Sequence, residues 1–120
     1  MKTYRDLIVW QKAMDLVEFC YQVSGSFPTS EVYGLTAQMR RSAVSVPSNI
    51  AEGYGRHHSK DYARFLQMAA GSLYELQTQL EIAKRLGYLP SETFEHVSSM
   101  GFEIEKMLAS LISKVQESIK

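Results

Sequence analysis

The sequence predicts an all-α protein, an up-down-up-down antiparallel four-helix bundle whose second helix is kinked at Pro47. Three observations carry that expectation. Apolar residues recur every three or four positions through four successive segments, which is the period of one face of a helix. No segment keeps the strict alternation that a half-buried strand requires. The links between segments are short, and short links leave consecutive helices antiparallel.

The first helix is expected from about Tyr4 to Ser24, capped by Thr3, with Asp6 three positions on completing a capping box. Leu7, Trp10, Met14, Val17 and Tyr21 form one apolar stripe; Val9, Ala13, Leu16, Cys20 and Val23 form a second. Two adjacent stripes make a wider apolar surface than a lone bundle helix needs. Gly25 to Pro28 then ends the segment. The second helix is expected to start near Thr29 or Ser30 with Glu31 in its first turn, where the helix dipole favours an anion. Val32, Leu35, Met39, Ala43, Val46 and Ile50 keep helical phase across Pro47. Proline removes a backbone donor and clashes with the carbonyl four residues back. The unbroken phase argues for one kinked helix, and a break with Pro47 in a new first turn is the alternative. Gly53 and Gly55 close the element.

The third helix is expected to be capped by Ser59. Tyr62, Leu66, Ala69, Leu73, Leu76, Leu80 and Ala83 alternate steps of four and three, the seam of antiparallel bundles. Gly87 supplies the C-terminal stop. Pro90 and Ser91 open the fourth helix, with Phe94, Val97, Gly101, Ile104, Leu108, Leu111 and Val115 in phase. Small residues on helices two and three, among them Ser45, Ala69 and Gly71, allow those two backbones to approach closely.

At 120 residues the chain has enough length for one continuous core, and residues 1–120 read as one domain. Thirteen basic residues balance thirteen acidic ones, so any nucleic-acid affinity must come from local segregation of charge. Cys20 is alone, which excludes an intramolecular disulfide. Nothing at the N-terminus reads as a signal peptide, and no uncharged apolar stretch approaches the ~18 residues of a membrane span. A cytoplasmic protein is the expectation. Carboxylate-bridged metal bundles use Glu-x-x-His pairs, and no Glu stands three positions before His57, His58 or His96. No metal, cofactor or catalytic constellation is implied, so the chain reads as a non-enzyme.

Several words in the chain are more specific than its helical phase. They are Leu7-Ile-Val-Trp-Gln-Lys-Ala13; Phe27-Pro28 followed by Glu31 and Tyr33-Gly-Leu-Thr36; Gln38-Met-Arg-Arg41; Ser45-Val-Pro-Ser-Asn-Ile-Ala-Glu-Gly53; and Gly71-Ser-Leu-Tyr-Glu-Leu76. On these the chain resembles the four-helix-bundle family encoded within intervening sequences of bacterial large-subunit (23S) ribosomal RNA genes. That family is related to the accessory variability determinant proteins of diversity-generating retroelements. The resemblance implies a homopentameric barrel of bundles. For the retroelement relatives it implies binding to nucleic acid and to a reverse transcriptase. Those relatives are basic, whereas this chain is neutral.

The tightest charge cluster is Arg56, His57, His58, Lys60 and Arg64. Bundle topology brings the start of helix one, the two-three loop and the end of helix four to one pole. Lys2, Arg5, Lys114 and Lys120 therefore join the cluster, opposed mainly by Asp6, Asp61 and Glu117. The functional reading is a phosphate-contact surface, aided by free amides near Ser59; the ordinary reading is a solvated loop. Arg40 and Arg41 lie mid-helix. One is expected to pair with a carboxylate, Glu52 or Glu75, and a basic channel lining is the alternative. Asn49, Glu52, Ser72, Glu75 and Gln79 are expected to form a polar network that fixes helix register or a subunit interface. The sequence thus points to a homo-oligomeric accessory protein that contacts RNA, DNA or a nucleoprotein through Arg56, His57, Lys60, Arg64, Arg40 and Arg41. A protein-protein assembly scaffold without nucleic-acid affinity is the alternative.

Overall fold

The chain opens with a 3-10 turn, Tyr4–Asp6, followed by four helices: α1 (Ile8–Ser24), α2 (Leu35–Tyr54), α3 (Ser59–Arg85) and α4 (Ser91–Glu117). The computed structural model describes residues 3–119; Lys2 and Lys120, expected at the basic end, lie outside the described residues. Each helix packs on the next, and α4 returns against α1, which closes an all-α four-helix bundle measuring 48 × 25 × 22 Å.

Local chemistry explains each boundary. The Thr3 hydroxyl accepts the Arg5 N–H at 3.1 Å, and Asp6 accepts the Thr3 N–H at 3.1 Å, so the capping box forms. It caps only the 3-10 turn, because Leu7 is extended and α1 begins after it. The second helix also starts later than its sequence pattern suggests. Thr29–Glu31 is a separate 3-10 turn, Gly34 takes a backbone conformation outside the helical region, and α2 starts at Leu35. Glu31 caps α2 from outside: its Oε1 accepts the Leu35 N–H at 3.1 Å and its Oε2 accepts the Tyr88 hydroxyl at 2.9 Å. Val32, expected in the core stripe, is consequently exposed.

α2 runs through Pro47 as one helix, in line with the unbroken apolar phase. At the start of α3 the N-cap position belongs to His58, with no side-chain cap bond, and Ser59 is the first helical residue rather than the cap. Gly87 ends α3 as expected. At φ +81° its N–H bonds to the Lys84 carbonyl at 3.0 Å, and the Tyr88 N–H bonds to that of Ala83 at 2.9 Å, a Schellman closure.

One hydrophobic cluster runs through all four helices. On α1 it takes the second stripe: Val9, Ala13, Leu16 and Cys20 are buried. Cys20 is fully buried, and that burial pushes its thiol from the ordinary 9.0 up to about 12. The first stripe is only partly covered, with Met14 and Tyr21 open to water.

Candidate nucleic-acid interface

The two-three loop is short because α2 ends at Tyr54, with Gly55 as its C-cap, and α3 begins at Ser59. Tyr4, Ser48, Glu52, Arg56, His57, His58 and Asp61 line one open groove, so the first turn of the chain lies beside this loop. The Ser118 and Ser59 hydroxyls are hydrogen-bonded at 2.9 Å, which brings the end of α4 to the same pole. The three segments expected to meet do meet.

Within this end, two guanidiniums share one aromatic ring. Arg56 Cζ lies 4.8 Å from the Phe65 ring centroid and Arg64 Cζ 4.7 Å from it. A cation over a ring face at this distance is electrostatically favourable. The ring itself is held by a close approach of α2 and α3: a Cβ at Gly53 would stand 2.7 Å from the Cβ of Phe65. Only glycine leaves the space. Each guanidinium also has a carboxylate. Arg56 donates to Glu52 at 2.9 Å, and Arg64 lies 3.7 Å from Asp61. His57, His58 and Lys60 are exposed around the stack. Glu52 therefore belongs to the charge balance of this end.

Among the described residues, Arg40 pairs with no carboxylate. Its Nε donates to the Ser24 hydroxyl at 2.9 Å, its Nη2 to the Tyr21 carbonyl at 3.3 Å, and its Cζ lies 4.5 Å from the Tyr21 ring. A cation there suits the negative end of the α1 dipole. Arg41 is exposed. The polar network is smaller than the expected one and centred elsewhere. Asn49 Nδ2 donates to the Ser45 carbonyl and hydroxyl, both at 2.9 Å, and the Ser72 hydroxyl bonds to that of Ser45 at 2.9 Å. Glu52 turns to Arg56 instead, Glu75 is exposed, and Gln79 Oε1 is buried without a hydrogen-bond partner. Ser45, the hub, had a sequence signal only as a small residue on the α3 side of α2.

A second surface adjoins this end. Tyr4, Trp10, Met14, Val17, Val44, Pro47 and Ala51 line an apolar groove between α1 and α2. Stacked arginines stand at both ends of it: Arg5 Cζ lies 5.6 Å from the Tyr4 and Trp10 rings, and Arg40 lies over Tyr21. Among the described residues, no group of three His, Cys, Asp or Glu is placed to hold a metal ion, and no helix is long and apolar enough to cross a membrane.

Comparison with known proteins decides the family. The family described as 23S rRNA-intervening sequence protein matches residues 5–110. The chain belongs to this family. Among solved structures, one similar to it is a Bacteroides thetaiotaomicron protein with unknown function from the S23 ribosomal protein family. It shares 23% identity at a TM-score of 0.82, over 88% of this chain and 96% of that one. At that identity the likeness speaks for the fold. No curated protein matches the chain. Nothing in these matches indicates a catalytic family.

The string Pro47 to Gly53, which carries the resemblance to the intervening-sequence proteins, has a physical reason at nearly every position. Pro47 is buried and lines the α1–α2 groove, and Ile50 is in the core. Asn49 bonds to Ser45, Glu52 holds Arg56, and Gly53 makes room for Phe65.

Proposed function

We propose that this intervening-sequence protein is a non-catalytic cytoplasmic accessory protein. It self-associates through the α1–α2 face, and its Arg56–Arg64 end, repeated by symmetry, contacts nucleic acid or a nucleoprotein partner such as a reverse transcriptase. The single observation that carries this reading is the composition of the α1–α2 groove. Tyr4, Trp10, Met14, Val17, Val44 and Pro47 line it, Arg5 lies over Tyr4 and Trp10, and Arg40 lies over Tyr21, one turn beyond Val17 on α1. Trp, Tyr, Met and Arg are the residues enriched where protein surfaces bind each other. A second copy is the fitting occupant, because Ser48 is the one polar side chain among the groove's lining residues, and the family resemblance implies a pentamer. Light scattering on the purified protein tests it: a discrete oligomer is expected, and Met14→Glu with Val44→Glu reduces it to monomer. A wild-type monomer at micromolar concentration overturns the reading.

A scaffold that binds only protein is the second reading. It is favoured by the pairing of Arg56 and Arg64 with Glu52 and Asp61, which lowers the positive potential of that end. Phosphate contacts weaken steeply with ionic strength, so salt-dependent RNA binding separates the two.

A further inference from the structure

The guanidiniums that would meet a phosphate chain are each occupied by an acid of the same chain, and the geometry of that occupation has a consequence. We propose that Arg56, Phe65 and Arg64 form a phosphodiester clamp for a polynucleotide backbone, and that Glu52 and Asp61 are its latch. This rests on the nucleic-acid half of the proposed function.

Phe65 fixes the clamp. Both Cζ atoms lie within 4.8 Å of its centroid, so they are no more than about 10 Å apart, close enough for one strand's backbone to meet both. Ring stacking leaves the guanidinium edges, where the N–H donors are, free to fork onto phosphate oxygens. In this state part of that donor set faces carboxylates, at 2.9 Å on Arg56 and 3.7 Å on Arg64. Those side chains are between 43% and 58% exposed, and exposed pairs of this kind contribute little stability. They are therefore replaceable. A phosphodiester offers each guanidinium an equivalent acceptor, but it approaches against the charge of Glu52 and Asp61. The two acids set the affinity, and a strand binds only where several such ends act together.

The latch makes an unusual prediction: removing two acids strengthens binding without adding a base. Fluorescence anisotropy with a short labelled single-stranded RNA at low salt measures it. Glu52→Gln with Asp61→Asn is expected to tighten binding roughly fivefold. Arg56→Ala with Arg64→Ala is expected to weaken it at least about tenfold and to flatten the salt slope by about two. Glu92→Gln with Glu95→Gln at the start of α4, the opposite pole, changes net charge equally and is expected to leave affinity almost unchanged. Inorganic phosphate at matched phosphate concentration is expected not to displace the RNA; displacement would assign the site to the free ion and overturn the clamp. If both acid pairs tighten binding equally, general charge is responsible and the latch is overturned. If the wild type binds and Glu52→Gln with Asp61→Asn binds no better, the latch fails while the nucleic-acid reading stands. If neither binds even at low salt, the nucleic-acid reading itself fails.

Discussion

Where α2 meets α3, small residues carry the contact. Gly53 lies under Phe65 and Tyr62, and the Ser45 and Ser72 hydroxyls bond directly at 2.9 Å. Where α1 meets α4, long side chains span the gap: Lys12 reaches Glu103 at 3.2 Å, and Phe19 lies on His96 with ring centroids 4.9 Å apart. The first seam is steric and leaves little freedom, because at Gly53 the nearest atoms include the Phe65 Cβ and the Tyr62 carbonyl, which are fixed to the backbone of α3. The second is made by side-chain ends that can re-form a few ångströms away. Substitutions should therefore be costly on one side of the bundle and cheap on the other.

The largest expected effect breaks the tight seam at its narrowest point. A Cβ at Gly53 meets the Phe65 Cβ at 2.7 Å, Tyr62 Cδ1 at 3.1 Å and the Tyr62 carbonyl oxygen at 3.2 Å. Two of these three atoms cannot swing away. Gly53→Val is expected to cost about 3 kcal/mol, the upper end for overpacking. On the same pair of helices, Gly71→Ala meets nothing within 4 Å and is expected to gain up to about 1 kcal/mol from helix propensity. Urea unfolding at one protein concentration measures both. A Gly53→Val loss below about 1 kcal/mol would mean that the α2–α3 seam yields after all.

A more gradual effect, smaller over any one pH unit, asks whether the adjustable side of the bundle is nonetheless dry. Cys20 faces the core from α1 and is fully buried, with its thiol pushed up to about 12. The raised folded value means that the unfolded chain gives up this proton first. The contribution of Cys20 is thus complete below 9.0 and is lost as pH rises toward about 12, with a slope of at most about 1.4 kcal/mol per pH unit. Other groups titrate there too, so the test is the difference between wild type and Cys20→Ala. The variant is expected to start less stable and to fall less steeply with pH. Parallel curves would mean that water reaches Cys20 past α1.

Much of this contrast was legible in the sequence, and the exceptions have physical causes. Leu66, Leu73, Leu76 and Leu80 are buried as their phase demands, because burial on one helical face leaves the same 3.6-residue imprint wherever it occurs. The meeting of three segments at the Arg56 end followed from topology. The start of α2 did not follow, since Val32 fits the helical phase while Gly34 and the Glu31 cap put it outside the helix. Gly53 carried two meanings that sequence cannot separate, a helix stop and a close approach, and the structure uses the second. The Glu52–Arg56 pair had a signal in its i,i+4 spacing. The attachment of Arg40 to the end of α1 had none, because a long side chain leaves its helix with many acceptors in reach.

The smallest expected effect sharpens the comparison from the other side. Lys12 and Glu103 have side chains 39% and 56% exposed, so water and salt screen the pair and its ordering entropy offsets most of the attraction. A double-mutant cycle with Lys12→Met and Glu103→Gln isolates the coupling from whatever else each side chain touches. It is expected to be about 0.5 kcal/mol at low ionic strength and to vanish in molar salt. Were the coupling well above about 1 kcal/mol and indifferent to salt, α1 would be pinned to α4 by a desolvated ion pair. The distinction between a steric seam and an adjustable one would then collapse, because both sides of the bundle would be rigid for different reasons.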